Sequence, residues 1–579
     1  MGLLKKKDKG KKHSPPRSSS GGGTSGTEIS PLRPSYVEKL PPCAGNCPSG
    51  NDIRGWLKLI AEREKTGMSL EEACDRAWHL EVETNPFPAV MGRVCPHPCE
   101  DHCNRGEKDA AVGINSVERF IGDWGLERGL ALEKLEGAEP RAEKVAVIGA
   151  GPSGLSVAYQ LARRGYAVTV FEALPKAGGM LRYGIPVYRL PREVLDAEIQ
   201  RILDLGVELK CGTAIGRECS LDDLRKEYQA VYLAIGAHKG RKMGIPGEDG
   251  PGVFTGTDFL NRANEGGEAR VGDHVVIIGG GDTAVDAARV CKRLTVDSAA
   301  VSKRMGADVT ILYRRTRTEM PAIDREIEEA VEENIGLEYL AAPIKILRNE
   351  DGGLSGMLVQ RMELGEPDES GRRRPEPIEG ETFELECDTV IMAVSQQPDW
   401  ESLGSEIPRE GSWLTSDEWG RTSVEGIWSG GDVLGLGLAT ISIGQGRKAA
   451  ESIHASLRGE ELPPEDSRPP IGPERIKMDF YESKPPAERM LLTPEERLAR
   501  PFDEIDLGIT QEQFLEEAAR CLSCGLCFAC ENCWMYCQNN CFKKLPEVVP
   551  GSYYQISLST CDGCKKCWEE CPCGYLEGQ

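Results

Sequence analysis

A chain of 579 residues is long enough for three or four domains. Its 93 acidic and 70 basic residues give a net charge of -23 and a pI of about 5.0, a balance that argues against a nucleic-acid partner. No run of about twenty apolar residues exists, so no transmembrane helix is expected.

The opening 26 residues, rich in Lys, Ser, Pro and Gly, lack the apolar core of a secretory signal; residues 1–36 are expected to be a disordered tail and the protein cytoplasmic. From 37 to 139 the pattern is helical, with Ile53 to Ile60 and Leu70 to Leu80 as amphipathic segments. Loops there carry Cys43, Cys47, Cys95, Cys99 and Cys103. Thiolates from two loops can converge on an iron–sulfur cluster, with zinc as the alternative.

Lys144 to Glu172 reads as strand, glycine turn, helix and strand. Val145 to Ile148 is a short apolar run of the kind buried in parallel sheets. Gly149, Gly151 and Gly154 follow in G-x-G-x-x-G spacing, with Pro152 and Ser153 between them. Such a loop turns tightly, lets a pyrophosphate approach the backbone and aims a helix N-terminus at it. Glu172 ends the second strand, where a carboxylate can accept hydrogen bonds from a ribose diol. The alternative is an empty Rossmann unit serving as scaffold. Gly178-Gly179-Met180-Leu181 and Tyr183-Gly184-Ile185-Pro186 come next, then a strand, Val231 to Ile235, ending at Gly236.

A second unit begins with His274 to Ile278, and Gly279, Gly281, Asp282, Thr283 and Ala284 supply its G-x-G-x-x-A turn. The helix runs from Asp282 to Leu294 and the next strand from Asp308 to Tyr313. That strand ends in Arg314 and Arg315, whose guanidinium groups could pair with a 2′-phosphate and so favour NADP. Stacking of one arginine on adenine would serve NAD equally. A polar stretch from 350 to 386 reads as a hairpin excursion, and Asp388 to Val394 as a strand. Gly431 and Asp432 then form an acidic turn, and Thr440 opens a helix that runs to Leu457.

These elements predict an α/β fold with two Rossmann-like dinucleotide-binding domains, one inserted in the other, between an α-helical N-terminal iron–sulfur domain and a C-terminal ferredoxin-like domain. The expected boundaries are 140–267 with 425–460 for the first unit and 268–424 for the second. Residues 461–520 form a proline-rich connector and 521–579 the ferredoxin-like domain.

Twelve of the 22 cysteines lie between Cys521 and Cys573. Two-cluster ferredoxins use C-x2-C-x2-C-x3-C twice, the fourth cysteine of each run serving the other cluster. Only Cys527, Cys530, Cys533 and Cys537 fit the first run; Cys561, Cys564, Cys567 and Cys571 form the second. Crossover assigns Cys527, Cys530, Cys533 and Cys571 to one [4Fe–4S] cluster, and Cys561, Cys564, Cys567 and Cys537 to the other. Cys521, Cys524, Cys541 and Cys573 receive no ligand role. Cys74, Cys211, Cys219, Cys291 and Cys387 read as buried small hydrophobes.

The two nucleotide units, the Gly-Gly-Met-Leu-x-Tyr-Gly-Ile-Pro segment and the late Gly-Gly-Asp resemble the small-subunit family of NADPH-dependent glutamate synthase over residues 37 to 460. The resemblance implies FAD in the first unit, bound in part by Glu172 and Asp432, and NAD(P)H in the second. It also implies an N-terminal cluster held by Cys47, Cys95, Cys99 and Glu118, with Cys103 as rival for the place of Glu118. The family carries a further C-x2-C ahead of the position matching Cys43, which this chain lacks. Cys43 and Cys103 therefore match ligands of a cluster whose other two cysteines are missing. With the tail that begins at Arg520-Cys521-Leu522-Ser523-Cys524, the chain is similar to the iron–sulfur flavoproteins associated with dissimilatory sulfite reductase in sulfur metabolism.

Nicotinamide exchanges two electrons as hydride, a cluster exchanges one, and a flavin converts between them. The expectation is an NAD(P)H:acceptor oxidoreductase working with a redox protein partner, dissimilatory sulfite reductase by the narrower resemblance. A glutamate synthase small subunit and a non-catalytic assembly subunit are the alternatives. No catalytic side-chain nucleophile is expected, no C-x-x-C disulfide flanks the flavin segment, and a homodimer stays open.

Overall fold

The computed structural model describes residues 30–579 apart from 267–268, 295–306, 370, 402, 404–406, 408 and 465. Most of the expected tail, 1–29, lies outside the described residues. Its last part does not behave as a tail: Pro34–Tyr36 is a strand paired antiparallel with Leu576–Gly578, so residues 34–36 belong to the C-terminal domain.

The N-terminal region is helical. Ile53–Ala61 starts at Asp52, whose carboxylate accepts from the Gly55 amide, and Leu70–Val82 starts at Ser69, capped in the same way by the Glu72 amide. Pro88–Val94 and Ile114–Glu127 pack closely because Gly92 and Gly122 face each other's backbones; a Cβ at either would collide with Arg119 or Ala89. Trp56, Trp78 and Phe87 fill the core between these helices.

Two five-stranded parallel sheets follow. In the first, the spatial order is Ile427–Ser429, Ala230–Leu233, Lys144–Ile148, Ala167–Phe171 and Glu208–Lys210. In the second it is Gly336–Tyr339, Asp308–Tyr313, His274–Ile278, Thr389–Met392 and Val253–Thr255. The chain leaves the first sheet, builds the second and returns at Ile427, so one unit is inserted in the other. The first crossing lies earlier than the expected 267: Val253–Thr255 pairs with Thr389–Met392, and helix Gly256–Asn264 packs beside the second unit. Periodicity could not show this, because a three-residue strand carries no sheet identity of its own. Where the chain passes between the units, Lys239–Gly240 pairs with Gln396–Gln397. The excursion is a three-stranded antiparallel sheet of Ala341–Arg348, Leu354–Pro367 and Arg373–Leu385.

The proline-rich connector lies across the body and is fixed to it. The Arg489 guanidinium donates to Ser116, Asn115 and Asp506, and Arg497 donates to Glu332 of the second unit. Its last helix, Gln511–Ala519, has a Thr510–Gln513 capping box and buries Phe514 face-on against Phe120, ring centroids 4.0 Å apart.

The C-terminal domain repeats itself with a shift of 34 residues, from Cys527 to Cys561 and from Cys537 to Cys571. The backbone follows the repeat. Glu531 and Lys565 both sit in the left-handed region, at φ 69° and 68°, and each precedes a short helix carrying a cysteine, Cys533 or Cys567. Among the described residues no helix is long and apolar enough to cross a membrane.

Candidate functional site

The first glycine loop is a close-packed backbone cradle. Gly149 has φ 104°, and a Cβ there would strike the Ala234 carbonyl; a Cβ at Gly154 would strike the carbonyl of Gly149. Gly151 caps helix Pro152–Ala162, with Pro152 at its first position. Gly179, at φ 52°, comes so near Gly151 that only glycine fits. Met180 is half-buried, whereas Leu181 is core and packs below this surface.

Glu172 is buried, and its two oxygens accept from the amides of Ala150 at 2.7 Å and Leu174 at 2.9 Å. Burial raises its pKa and these bonds oppose the rise. The carboxylate thus holds the glycine loop while keeping lone pairs for a diol. On the far side, Ser153 Oγ meets Tyr232 Oη at 2.6 Å. Gly431 packs on Ser153, and a Cβ at Gly446 would strike the Ser153 carbonyl. These contacts bring Asp432 and Thr440, at the start of helix Ala439–Arg458, to the mouth of the loop. Burial pushes Asp432 up to about 6, and its Oδ1 accepts from the Gly437 amide. Gly236, at φ 64°, turns the chain away beyond Ala230–Leu233. An all-backbone cradle with carboxylates at two edges fits a flavin dinucleotide.

The second loop is more open. Gly279, at φ 145°, approaches the Ala393 carbonyl, while among the described residues only Pro321 lies near Gly281. Ala284 is buried in the helix that follows, and Thr283 packs its methyl on Gly256. Asp282 accepts from the Ile323 amide at 3.0 Å, and burial raises its pKa. The two arginines part company. Arg314 is exposed at the strand end. Arg315 is buried, bound to Asp368 at 2.6 Å and to the Arg373 carbonyl at 2.7 Å. It anchors the antiparallel excursion and is not free to meet a 2′-phosphate, so the expected pair reduces to Arg314.

The cysteines fall into four groups. Cys47, Cys95 and Cys99 lie near Glu118; burial, then the neighbouring Glu118 carboxylate, raises the Cys95 and Cys99 thiols. Asn85 and Asn115 donate to the two oxygens of Glu118 at 3.1 and 3.2 Å, and Glu81 is its buried acidic neighbour. Cys103 is not with them: it lies beside Cys43, so it does not take the place of Glu118. At the other end, Cys527, Cys530, Cys533 and Cys571 form one group, and Cys537, Cys561, Cys564 and Cys567 another, which is the crossover arrangement. Two of the leftover thiols flank these groups. The Cys573 Sγ lies 3.8 Å from that of Cys571 and lowers its thiol below the ordinary range, and the Cys541 amide donates to Cys537. Among the described residues no disulfide joins any of the 22 cysteines. Among the described residues no three His, Cys, Asp or Glu side chains converge on a single-ion site. Four thiols grouped with the crossover spacing are the donor set of an iron–sulfur cube.

Comparison with known proteins agrees with this construction. Residues 143–447 match the pyridine nucleotide-disulphide oxidoreductase family, and residues 37–130 match dihydropyrimidine dehydrogenase domain II, 4Fe-4S cluster. The chain is 36% identical to the NADPH-Fe(3+) oxidoreductase subunit beta of Geobacter sulfurreducens, over 84% of this chain and 76% of that one. It is 36% identical to the NADP(+)-dependent formate dehydrogenase subunit beta of Moorella thermoacetica, over 83% and 70%. With the glutamate synthase [NADPH] small chain of Escherichia coli the identity is 37%, over 71% and 88%. The chain belongs to the pyridine nucleotide-disulphide oxidoreductase family and, with its N-terminal 4Fe-4S domain, is an NAD(P)H-dependent iron–sulfur flavoprotein oxidoreductase.

Proposed function

We propose that this chain passes electrons between NAD(P)H and a redox protein partner, and that the partner is a dissimilatory sulfite reductase. The observation that carries the reading is the layout: two dinucleotide cradles form the centre, and groups of cysteines stand at both ends of the same chain. FAD, when bound, supplies the conversion between hydride and single electrons. The protein's own residues bind and orient. The Gly149–Gly154 loop takes a pyrophosphate on backbone amides, and Glu172 and Asp432 accept hydroxyl donors. The Gly279–Ala284 turn takes the second dinucleotide, with Arg314 toward its 2′-phosphate. No side chain is required to form a covalent bond. The cysteine groups Cys47/Cys95/Cys99/Glu118, Cys527/Cys530/Cys533/Cys571 and Cys537/Cys561/Cys564/Cys567 hold [4Fe–4S] clusters that carry single electrons. The direction of flow follows the potentials of the partners.

The three named relatives are each a subunit or chain of a larger redox enzyme, which supports a protein partner here. The ferredoxin-like tail, together with the narrower resemblance, favours sulfite reductase over a glutamate synthase large subunit. Two measurements test the proposal. Anaerobic NADPH or NADH should bleach the flavin of the purified protein and drive reduction of a dye; absence of turnover with flavin and clusters loaded would sink it. Affinity capture from the native cell should return sulfite reductase. Recovery of a glutamate synthase large subunit without sulfite reductase would overturn the partner assignment.

A further inference from the structure

Cys521 and Cys524 have no place in either ferredoxin run. In the fold they do not stay with the C-terminal domain. With Cys43 and Cys103 they line a single cavity at the seam between the N-terminal helices and the end of the connector. Its apolar wall includes Leu57, Val112, Ile114 and Leu522.

We propose that Cys43 and Cys103 of the helical domain and Cys521 and Cys524 of the C-terminal region together hold one [4Fe–4S] cluster. The pair missing ahead of Cys43 is thus supplied from the opposite end of the chain. This corrects the expectation that Cys521 and Cys524 have no ligand role.

Three further features fit a cluster there. The first is a set of N–H donors aimed at the sulfurs: the Ser523 amide lies 3.4 Å from Cys521 Sγ, and Asn104 Nδ2 lies 3.5 Å from Cys524 Sγ. Such contacts stabilise and tune cluster thiolates. The second is buried positive charge. Arg54 lines the cavity; its guanidinium pairs with Glu38 at 2.6 Å, while its buried Nε has no hydrogen-bond partner among the described residues. A buried N–H without an acceptor is costly, and a cluster on four thiolates carries net negative charge that would complete it. The third is rigidity. Arg54 donates to the carbonyls of Lys39 and Cys524, both at 2.7 Å; Lys58 donates to Ser523 Oγ and the Cys527 carbonyl; Arg105 donates to the Arg520 carbonyl at 2.6 Å. Gly525, at φ 70°, turns the loop against Lys39, where a Cβ would not fit.

The position gives the site a function. Cys43 and Cys103 lie four residues from Cys47 and Cys99, and Cys524 lies three before Cys527. A chain spans at most about 3.6 Å per residue, so these Cα atoms are within roughly 14 and 11 Å of the neighbouring groups. The site is the one-electron relay joining the N-terminal group to the ferredoxin-like tail, taking one electron from one side and passing one to the other.

The test uses the full chain, purified anaerobically. Cys43→Ser, Cys521→Ser and Cys524→Ser should each lower iron and acid-labile sulfide by about four atoms per FAD, and each should remove the same EPR signal from the dithionite-reduced protein. The Cys43→Ser/Cys521→Ser double variant should lose no more than either single one. Unchanged iron in the Cys521 and Cys524 variants, additive losses in the double variant, or zinc in place of iron would overturn the proposal. If a variant fails to retain FAD, alkylation of the unaltered protein decides. Cys43, Cys103, Cys521 and Cys524 should be protected together when iron-loaded and become reactive together after chelation. Alkylation of Cys521 or Cys524 in the iron-loaded protein would overturn it. Iron and thiol readouts do not depend on NAD(P)H turnover, so failure here is distinct from failure of the electron-transfer reading.

Discussion

Arg314 and Arg315 are adjacent in sequence and opposite in circumstance, so replacing each with alanine should give different phenotypes. A 2′-phosphate carries close to two negative charges, and hydrogen bonds to charged groups contribute about 1.5–3 kcal/mol. Arg314 is exposed, so solvent and salt screen it towards the lower end, about 1–2 kcal/mol. Arg314→Ala should therefore raise the KM for NADPH roughly fivefold to thirtyfold, with kcat little changed and the KM for NADH unaffected. The difference should shrink as ionic strength rises. Arg315→Ala removes a buried ion pair to Asp368 and a bond to the Arg373 carbonyl, so it should loosen the antiparallel excursion. Its cost is in stability, about 2–3 kcal/mol, without discrimination between nucleotides. The assay is flavin reduction by each nucleotide, followed anaerobically by stopped flow. An equal rise in both KM values for Arg314→Ala would refute the phosphate role and indicate stacking on adenine. A selective NADPH defect in Arg315→Ala would refute the geometry.

Gly154→Ala drives a methyl into the Gly149 carbonyl and against Val147, so the loop must open; FAD per chain should fall at least tenfold, and a stoichiometric yellow protein would contradict the cradle. Cys530→Ala should slow reduction of the protein acceptor at least tenfold more than reduction of FAD by NAD(P)H. Equal losses would mean that the tail does not lie beyond the flavin. Glu333 is buried, and although burial opposes it, Arg293 and Arg289 hold its carboxyl down at about 2. Glu333→Gln leaves two buried guanidinium groups short of a charge and should cost about 3–5 kcal/mol. The first thermal transition should fall by roughly 6–20 °C, and hydrogen exchange should rise over 282–333. No shift in either would show that this cluster of charges does not hold the second unit together.

How much of this was legible beforehand depended on how far apart the partners lie in the chain. The glycine loops could be read because turn, strand and helix lie within about thirty residues and each constrains the next. The helix Asp282–Leu294 and the strands His274–Ile278 and Asp308–Tyr313 have the expected bounds for that reason. The two ferredoxin runs could be grouped because the spacing itself encodes the crossover. Arg315 could not be told from Arg314, since its partner Asp368 belongs to an excursion whose folding back no local pattern shows. The strand Val253–Thr255 was missed because three residues have no periodicity. Cys521 and Cys524 were obscured by thiols at every third position. Their neighbours Cys43 and Cys103 lie more than four hundred residues away, and contacts such as the docking of Phe514 on Phe120, which no local pattern shows, bring the two ends together.

That docking has a consequence for how the protein is made. Lys58, Arg54 and Arg105 are buried in the helical domain, yet they are satisfied by backbone oxygens of Cys527, Cys524 and Arg520. While the ribosome is still building the central domains, those oxygens do not exist. The nascent N-terminal domain would hold these cations with only part of their acceptor set, Glu38, Glu62 and Asp109, which weakens the closed state until residues 520–527 have emerged. Completion of the helical domain is thereby tied to synthesis of the segment around residues 520–527. A truncated chain would remain open at its N-terminus, marked for proteolysis instead of carrying half an electron path.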